Sequence, residues 1–307
     1  MRIAVLCAPS SWYFDDLCRA ARGDFELQAI PFSQLAVSSS SESGECFRSA
    51  AERLSSFAAI IVRTMPPGSI EQIVFRMDVL NRLQATGVSV INPPRAIEVA
   101  VDKYLATSRL ISAGLCVPHT MTCQTVDEAM QGFHDLGGDV VVKPLFGSEG
   151  RGITRISDEA LALRAFKMLE QMQSVIYLQE FVTHYGYDER VFVVGGKVFG
   201  MRRQNDEDWR TNVSRGAIAT PMEIDAQTKA MALAASNAVG ASIAGVDFLP
   251  GKNGKRYALE VNAVPGWKAL SRAVEVDIAR CVLEFTAEQS MGKDRESLVK
   301  KPSDFSV

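Results

Sequence analysis

Four short apolar runs, Ile3–Cys7, Phe25–Ile30, Ala58–Val62 and Val88–Ile91, mark the first 93 residues with little polar interruption. Runs of this length and continuity suit parallel strands buried on both faces. Helix-like stretches separate them, the clearest from Ser69 to Thr86 and stopped by Gly87. That alternation predicts a βαβ lobe. The polar stretch Ser38–Gly44 reads as a surface loop. Asn92-Pro93-Pro94 then marks a boundary, because a Pro pair ends the preceding strand.

Beyond it, one helix is expected through to Ala113, with Gly114 as its C-cap and Pro118 after it. Thr125-x-x-Glu128 forms a capping box for a second helix that Gly137 and Gly138 close. Val140–Pro144 and Ile153–Ile156 flank a glycine-rich turn and read as a hairpin. A helix from Ser157 and a strand over Val175–Val182 follow. Gly195-Gly196, between Arg190–Val194 and Lys197–Arg203, is a strong antiparallel hairpin signal. A helix over Asp225–Val239, strands Ala244–Leu249 and Arg256–Val261, and a helix over Lys268–Gln289 complete the pattern. The expected organisation is α/β, in α+β lobes: residues 1–93, 94–182 and 183–290, then a disordered tail over 291–307.

Composition narrows the class. The 307 residues are too many for one small core and suit two or three lobes. Apolar residues at 47% and charged residues at 22% describe an ordinary soluble chain. A net charge of −3 gives no pull toward nucleic acid or an anionic membrane. Six cysteines form no CxxC pair or zinc spacing, so reduced thiols in the cytoplasm are expected. The apolar start of the chain is too short for a secretion signal or a membrane span.

Candidate chemistry collects in four places. In Gly245-Val246-Asp247-Phe248-Leu249 the apolar neighbours take one strand face and Asp247 the other. In Tyr257-Ala258-Leu259-Glu260-Val261-Asn262, Leu259 and Val261 face one way while Glu260 and Asn262 share the opposite face. Two carboxylates and an amide oxygen converging across a turn suit a hard cation such as Mg²⁺. A solvated strand face explains the same three residues about equally well, and the Asn-Ala-Val-Pro-Gly run that follows favours the metal. Gly147, Ser148, Gly150 and Gly152 form a loop whose backbone N–H groups can approach phosphate, and Lys143 on the preceding strand supplies a charge. No Gly-Lys-Ser/Thr follows, so this is not a Walker loop. The strand end Gln179-Glu180-Phe181-Val182 can offer backbone groups to a flat heterocycle, with Asp188 placed for ribose hydroxyls. His184 beside them reads as solvated. Arg190, Arg202, Arg203, Arg210 and Arg215 form a basic set suited to phosphate or carboxylate. Asp206, Glu207 and Asp208 could instead pair with Arg202 and Arg210.

Taken in order over residues 95 to 275, these motifs resemble the ATP-grasp superfamily, specifically its RimK-like glutamate ligases. The matching pieces are Asp102-Lys103, Lys143 before the glycine flap, Gln179–Val182, Gly186-Tyr187-Asp188-Glu189-Arg190, Arg202-Arg203, Trp209–Gly216, Ala244–Asp247 and Glu260–Gly266. The resemblance implies an ATP-grasp fold with an N-terminal βαβ domain before it, and nucleotide held between two α+β lobes. It implies that Lys103 and Lys143 contact phosphates, that Glu180–Val182 take adenine and Asp188 the ribose. Asn212 would sit near the triphosphate, and Asp247, Glu260 and Asn262 would hold Mg²⁺, with Mn²⁺ as the alternative ion. Arg203 and Arg215 would bind the γ-phosphate or the carboxylate being activated.

The implied activity is ATP-dependent formation of an amide through an acyl phosphate. L-Glutamate is the expected amine and a carboxyl-bearing acceptor its partner, either a small cofactor such as a pterin or a peptide C-terminus. A homodimer or homotetramer is the usual family state. The alternatives are another ATP-grasp ligase, of the D-alanine–D-alanine type, or a small-molecule kinase on the same site.

Overall fold

The computed structural model describes residues 1–147 and 150–299, the last seven of these by backbone alone. It divides into two compact units. The first comprises Met1–Ile97, Val264–Ser271 and the chain from Glu275; the second comprises Glu98–Ala263 and Arg272–Val274.

The first unit begins with β1 (Arg2–Leu6), α1 (Trp12–Ala21) and β2 (Glu26–Ile30). A hairpin, β3 (Leu35–Ser40) and β4 (Gly44–Ser49), and the short β5 (Glu52–Arg53) follow. Then come β6 (Ala59–Val62), α2 (Ile70–Ala85) and β7 (Ser89–Ile91). The four apolar runs are all strands of one parallel sheet in the order β2-β1-β6-β7. Ile3, Ala4, Leu6, Ala59 and Ile60 are wholly buried in it, as continuous apolar runs require. Ser69 caps α2 in a full capping box with Gln72.

The stretch Ser38–Gly44 departs from expectation. Ser38–Ser40 and Gly44 pair across an antiparallel hairpin, and only the residues between them form the turn. Serine hydroxyls masked an alternation that Leu35, Val37 and Phe47 carry. The residues are exposed, so the stretch does lie at the surface.

The boundary helix is two helices, α3 (Pro94–Val101) and α4 (Lys103–Ser112). Asp102 breaks the run, because its carboxylate accepts from Leu105 N and caps α4. The second unit continues with β8 (Thr120–Cys123), α5 (Val126–Asp135), β9 (Val140–Lys143), β10 (Thr154–Ile156), α6 (Glu159–Gln171) and β11 (Ile176–Glu180). These strands form an antiparallel sheet, β10-β9-β11-β8, backed by α5 and α6 around Phe133, Phe166 and Leu178. Next come β12 (Tyr187–Val194), β13 (Lys197–Gln204), β14 (Ile218–Met222), α7 (Ala226–Val239), β15 (Ile243–Pro250) and β16 (Arg256–Asn262). They make a second antiparallel sheet, β14-β13-β12-β15-β16.

The expected final helix is also split, into α8 (Lys268–Ala273) and α9 (Ile278–Val299). The α9 backbone runs into the segment expected as a tail from 291, and residues 300–307 lie outside the described residues. No helix among the described residues is long and apolar enough to cross a membrane.

Candidate active site

The two sheets of the second unit enclose a cavity of about 100 Å³. Twelve of the residues singled out in the sequence line it: Lys143, Gly150, Gln179, Glu180, Phe181, Val182, Asp188, Arg203, Arg210, Asn212, Asp247 and Glu260.

Asp247 on β15 and Glu260 on β16 are direct cross-strand partners, and Asn262 pairs with Gly245 two residues along. Directly opposed residues bring their Cβ atoms to about 4.5–5.5 Å. The ladder slips between Asp247 and Phe248, so Phe248 faces Ala258 and Leu259 is the extra residue of a β-bulge. The bulge turns Leu259 into the cavity beside Glu260, against the strict alternation that assigns it to the other face.

Asp247 is buried and lies within a chain of charges. Arg190, its partner across β12 and β15, donates from Nε and Nη2 to both carboxylate oxygens, the second at 2.7 Å. Arg203 donates to Asp188 through Nε and Nη2 and reaches the Asp247 Oδ2 at 3.0 Å. Register sets these pairs, since Asp188 faces Arg203 across β12 and β13. Burial pushes the Asp188 carboxyl above its ordinary range, and Arg203 offsets only part of that. For Asp247 burial acts in the same upward sense, but Arg190 and Arg203 outweigh it and hold the carboxyl low. Arg203 is held above the usual arginine range, because Asp247 and Asp188 overcome its burial.

Lys143 ends β9 and donates to Gln179 Oε1 at 2.6 Å, and Gln179 Nε2 donates to Thr120 at 2.9 Å. Burial lowers the Lys143 ammonium to about 8; Glu260 works against the shift. Lys103, the first residue of α4, donates to the Gly147 carbonyl at 2.9 Å, and burial lowers its ammonium too. Its backbone N–H donates to Leu145 O at 3.3 Å, so α4 and the flap are tied at two points.

The flap crosses Asn212 closely. Gly150 has φ +70°, and a Cβ there would meet Asn212 Oδ1 at 2.5 Å, so only glycine fits. Arg210 donates to Ile153 O at 3.3 Å and Arg215 to Gly150 O at 3.4 Å. Arg210 also pairs with Asp208, as the acidic run suggested. Arg215 is exposed and is not among the cavity-lining residues; it reaches the flap backbone. Lys103, Gly147, Gly152, Arg190 and Asn262 are likewise not among the cavity-lining residues. Ser148 lies outside the described residues.

One end of the cavity is apolar. Val182, Leu249 and Leu259 pack together with Tyr257. Phe181 meets Trp209 edge-on at 5.7 Å, while the Arg155 guanidinium covers its ring at 3.4 Å. Along this strand end the Glu180 N–H donates to His119 O and the Phe181 N–H to Asp139 O. The Val182 N–H makes no hydrogen bond to another described residue. The expected backbone edge for a heterocycle thus narrows to Val182. His184, expected as solvated, is half-buried and lines the cavity; its Nδ1 accepts from Gly186 N at 3.2 Å. Burial lowers its pKa.

Leu249, Leu259, Trp209, Thr211 and His184 were not singled out as site residues from the sequence. Trp209 and Thr211 sit inside the run Trp209–Gly216, so the sequence does carry a signal for them. Thr211 is buried and lines the cavity together with Asp188.

The donors suit a divalent cation. Among the described residues no three His, Cys, Asp or Glu side chains cluster as a metal site. Asp247 and Glu260 line the cavity as opposed carboxylates, with Asn262 two residues along β16; oxygen donors of this kind fit Mg²⁺, which ordinarily also takes water and substrate phosphate. That Asp247 already attracts two guanidinium groups shows that the position favours positive charge.

Residues 100–286 match the family model for the RimK-like ATP-grasp domain. A tetrahydromethanopterin:alpha-L-glutamate ligase of Methanosarcina acetivorans is 33% identical, with 90% of this chain and 95% of that protein covered. The ligase of the same name from Methanococcus maripaludis is 31% identical, with 92% and 97% covered. Among solved structures, the ATP-grasp ligase PsnB with its minimal precursor aligns at a TM-score of 0.73 and 23% identity, covering 94% of this chain and 98% of that one. The D-cycloserine synthetase DcsG aligns at 0.72 and 18% identity, covering 94% and 100%. At such identities these two speak for the fold alone.

Proposed function

Because this chain belongs to the RimK-like ATP-grasp family and is an ATP-dependent ligase, we propose that it joins the amino group of L-glutamate to the carboxyl group of a pterin-type acceptor. The observation that carries the reading is the opposed pair Asp247–Glu260 in one cavity with Lys143, Asn212 and the glycine flap. The relatives that match over nearly their whole length bear the name of that glutamate ligase.

A carboxylate is a poor acyl donor until one oxygen leaves as phosphate. Its oxygen attacks the γ-phosphorus of ATP, ADP departs, and an acyl phosphate forms. The glutamate amine then attacks the acyl carbon, phosphate leaves with the electron pair, and the amine loses a proton. Such phosphoryl transfer needs positioning and charge neutralisation more than covalent help. Lys143 and Lys103 would supply positive charge toward the triphosphate, and Arg203, which lines the same cavity as Lys143, would meet the transferring group. Asp188 holds Arg203 in place. Phe181, Val182, Leu249 and Leu259 form the apolar wall for adenine. The flap, held through Arg210 and Arg215, excludes water from the labile anhydride. Asp247, Glu260 and Asn262 would hold Mg²⁺ or Mn²⁺, whose chemistry is to neutralise phosphate charge as a Lewis acid. The six free cysteines support a reducing, cytoplasmic setting.

The test is ADP release with L-glutamate crossed against pterin and peptide carboxylates, with products read by mass. A glutamyl amide is expected, and hydroxylamine should divert the acyl phosphate to a hydroxamate. ADP release that ignores glutamate, or a stable phosphate ester as product, would overturn the reading in favour of a kinase. Turnover with D-alanine instead would favour the other ligase class.

A further inference from the structure

The first unit contains a buried cation that forms no ion pair with a carboxylate among the described residues. Arg63 follows β6 directly and is only 6% exposed. Its Nη2 donates to the Pro265 carbonyl at 2.7 Å, and its Nε is buried with no hydrogen-bond partner. The guanidinium lies against two rings, Tyr13 at 4.7 Å and Trp267 at 4.3 Å. No carboxylate among the described residues forms an ion pair with it. Burial lowers its pKa to about 10, so it remains charged at neutral pH. Cys7, its neighbour, is pushed by burial up to about 11 and supplies no negative charge.

The position of this cation in the sheet is specific. In the order β2-β1-β6-β7 the chain moves from β1 to β2 on one side and returns to β6 on the other. The crevice between the carboxyl ends of β1 and β6 is therefore the topological switch point, where open α/β sheets bind ligands. Arg63 N and Thr64 N both donate to Leu6 O, which places Arg63 at that crevice. The turn leaving β1, Cys7 to Ser11, leads into α1. Ser11 stands at its N-cap with no side-chain capping bond, so the first N–H groups of the helix have no side-chain acceptor among the described residues. Tyr13, in the first turn, is the ring that touches Arg63. A helix N-terminus and a buried unpaired guanidinium both favour negative charge, and each is an independent observation. Asp15, exposed in the same turn, gives that dipole a partial complement from outside.

We propose that Arg63, with the uncapped start of α1, forms a carboxylate-binding site in the first unit that receives a carboxylate of a ligase substrate. The choice of carboxylate over phosphate rests on the ligase reading; the anion preference rests on the geometry alone. Arg63 would bind substrate rather than take part in the chemistry. The competing role is a structural rivet that holds the Pro265–Trp267 turn through its carbonyl bond and ring contacts.

The wild-type full chain, labelled with ¹⁵N-arginine, tests this without a mutation. The Arg63 Nε–H is buried between two rings, so its NMR signal should be displaced from the other arginines and slow to exchange. L-Glutamate, glutarate (a dicarboxylate with no amine) and inorganic phosphate are titrated separately. Movement with glutamate or glutarate is expected; movement with glutarate assigns the site to the bare carboxylate, and movement with glutamate alone assigns it to the amino acid. No movement with either, or movement with phosphate only, overturns the proposal. Arg63→Lys should weaken binding of the responding ligand at least tenfold while ADP affinity stays within twofold. Equal affinity in wild type and variant would leave only the rivet. If glutamate-dependent ADP release is found while the signal stays still, this site fails and the ligase reading stands. If the signal moves but no glutamyl amide forms, the reverse holds.

Discussion

Arg190 and Asp247 face each other across β12 and β15, and the guanidinium engages both oxygens of the carboxylate. A residue proposed to hold metal is thus also the counter-ion of two buried or half-buried arginines. The two proposed metal-binding carboxylates should therefore respond differently to substitution.

Glu260→Gln should lower kcat by roughly 10²–10³-fold, the usual cost of one charge-stabilising contact, with the urea midpoint close to wild type. Asp247→Asn should lower activity at least as far and also destabilise the fold by about 3–5 kcal/mol, because it leaves guanidinium charge uncompensated. Paired activity assays and urea melts check both. Equal stability of the two variants would contradict the structural role of Asp247.

Chelation separates the same two roles. EDTA should stop ADP release, and added Mg²⁺ should restore it, while the melting temperature without nucleotide changes little. The Arg190 and Arg203 contacts already compensate Asp247 when no metal is supplied.

Lys143 predicts a pH limb. Its ammonium, lowered from 10.5 to about 8 by burial, is charged below that pH and loses its proton as pH rises through it. KM for ATP should increase above about pH 8, and Lys143→Arg, which does not titrate there, should lose the limb. The stability effect has the opposite sign. Between about 8 and 10.5 the unfolded chain binds more protons at this position, so its contribution to stability rises with pH and is constant below.

The edge-on contact of Phe181 and Trp209 closes the apolar end of the cavity. Such a pair contributes about 0.5–1.5 kcal/mol, so Trp209→Ala should weaken ADP binding roughly two- to thirteenfold by calorimetry. The glutamate dependence of turnover at saturating ATP should not change.

Much of this molecule follows from local pattern alone. Continuous apolar runs have no polar face to expose, so the four parallel strands of the first unit could be read directly from them. Alternation likewise put Asp247, Glu260 and Asn262 on one face, and Thr125 and Asp225 stand where a helix needs an acceptor for its first N–H groups. Thr120–Cys123 gave no such signal, being half-buried throughout, and Ile218–Met222 is an edge strand that tolerates Pro221. Tertiary structure decided the rest. Which arginine meets which carboxylate depends on the register of β12 against β13 and β15, and the place of Leu259 depends on a bulge formed only against β15. Alternation is a property of one strand, whereas register and bulges belong to two strands together.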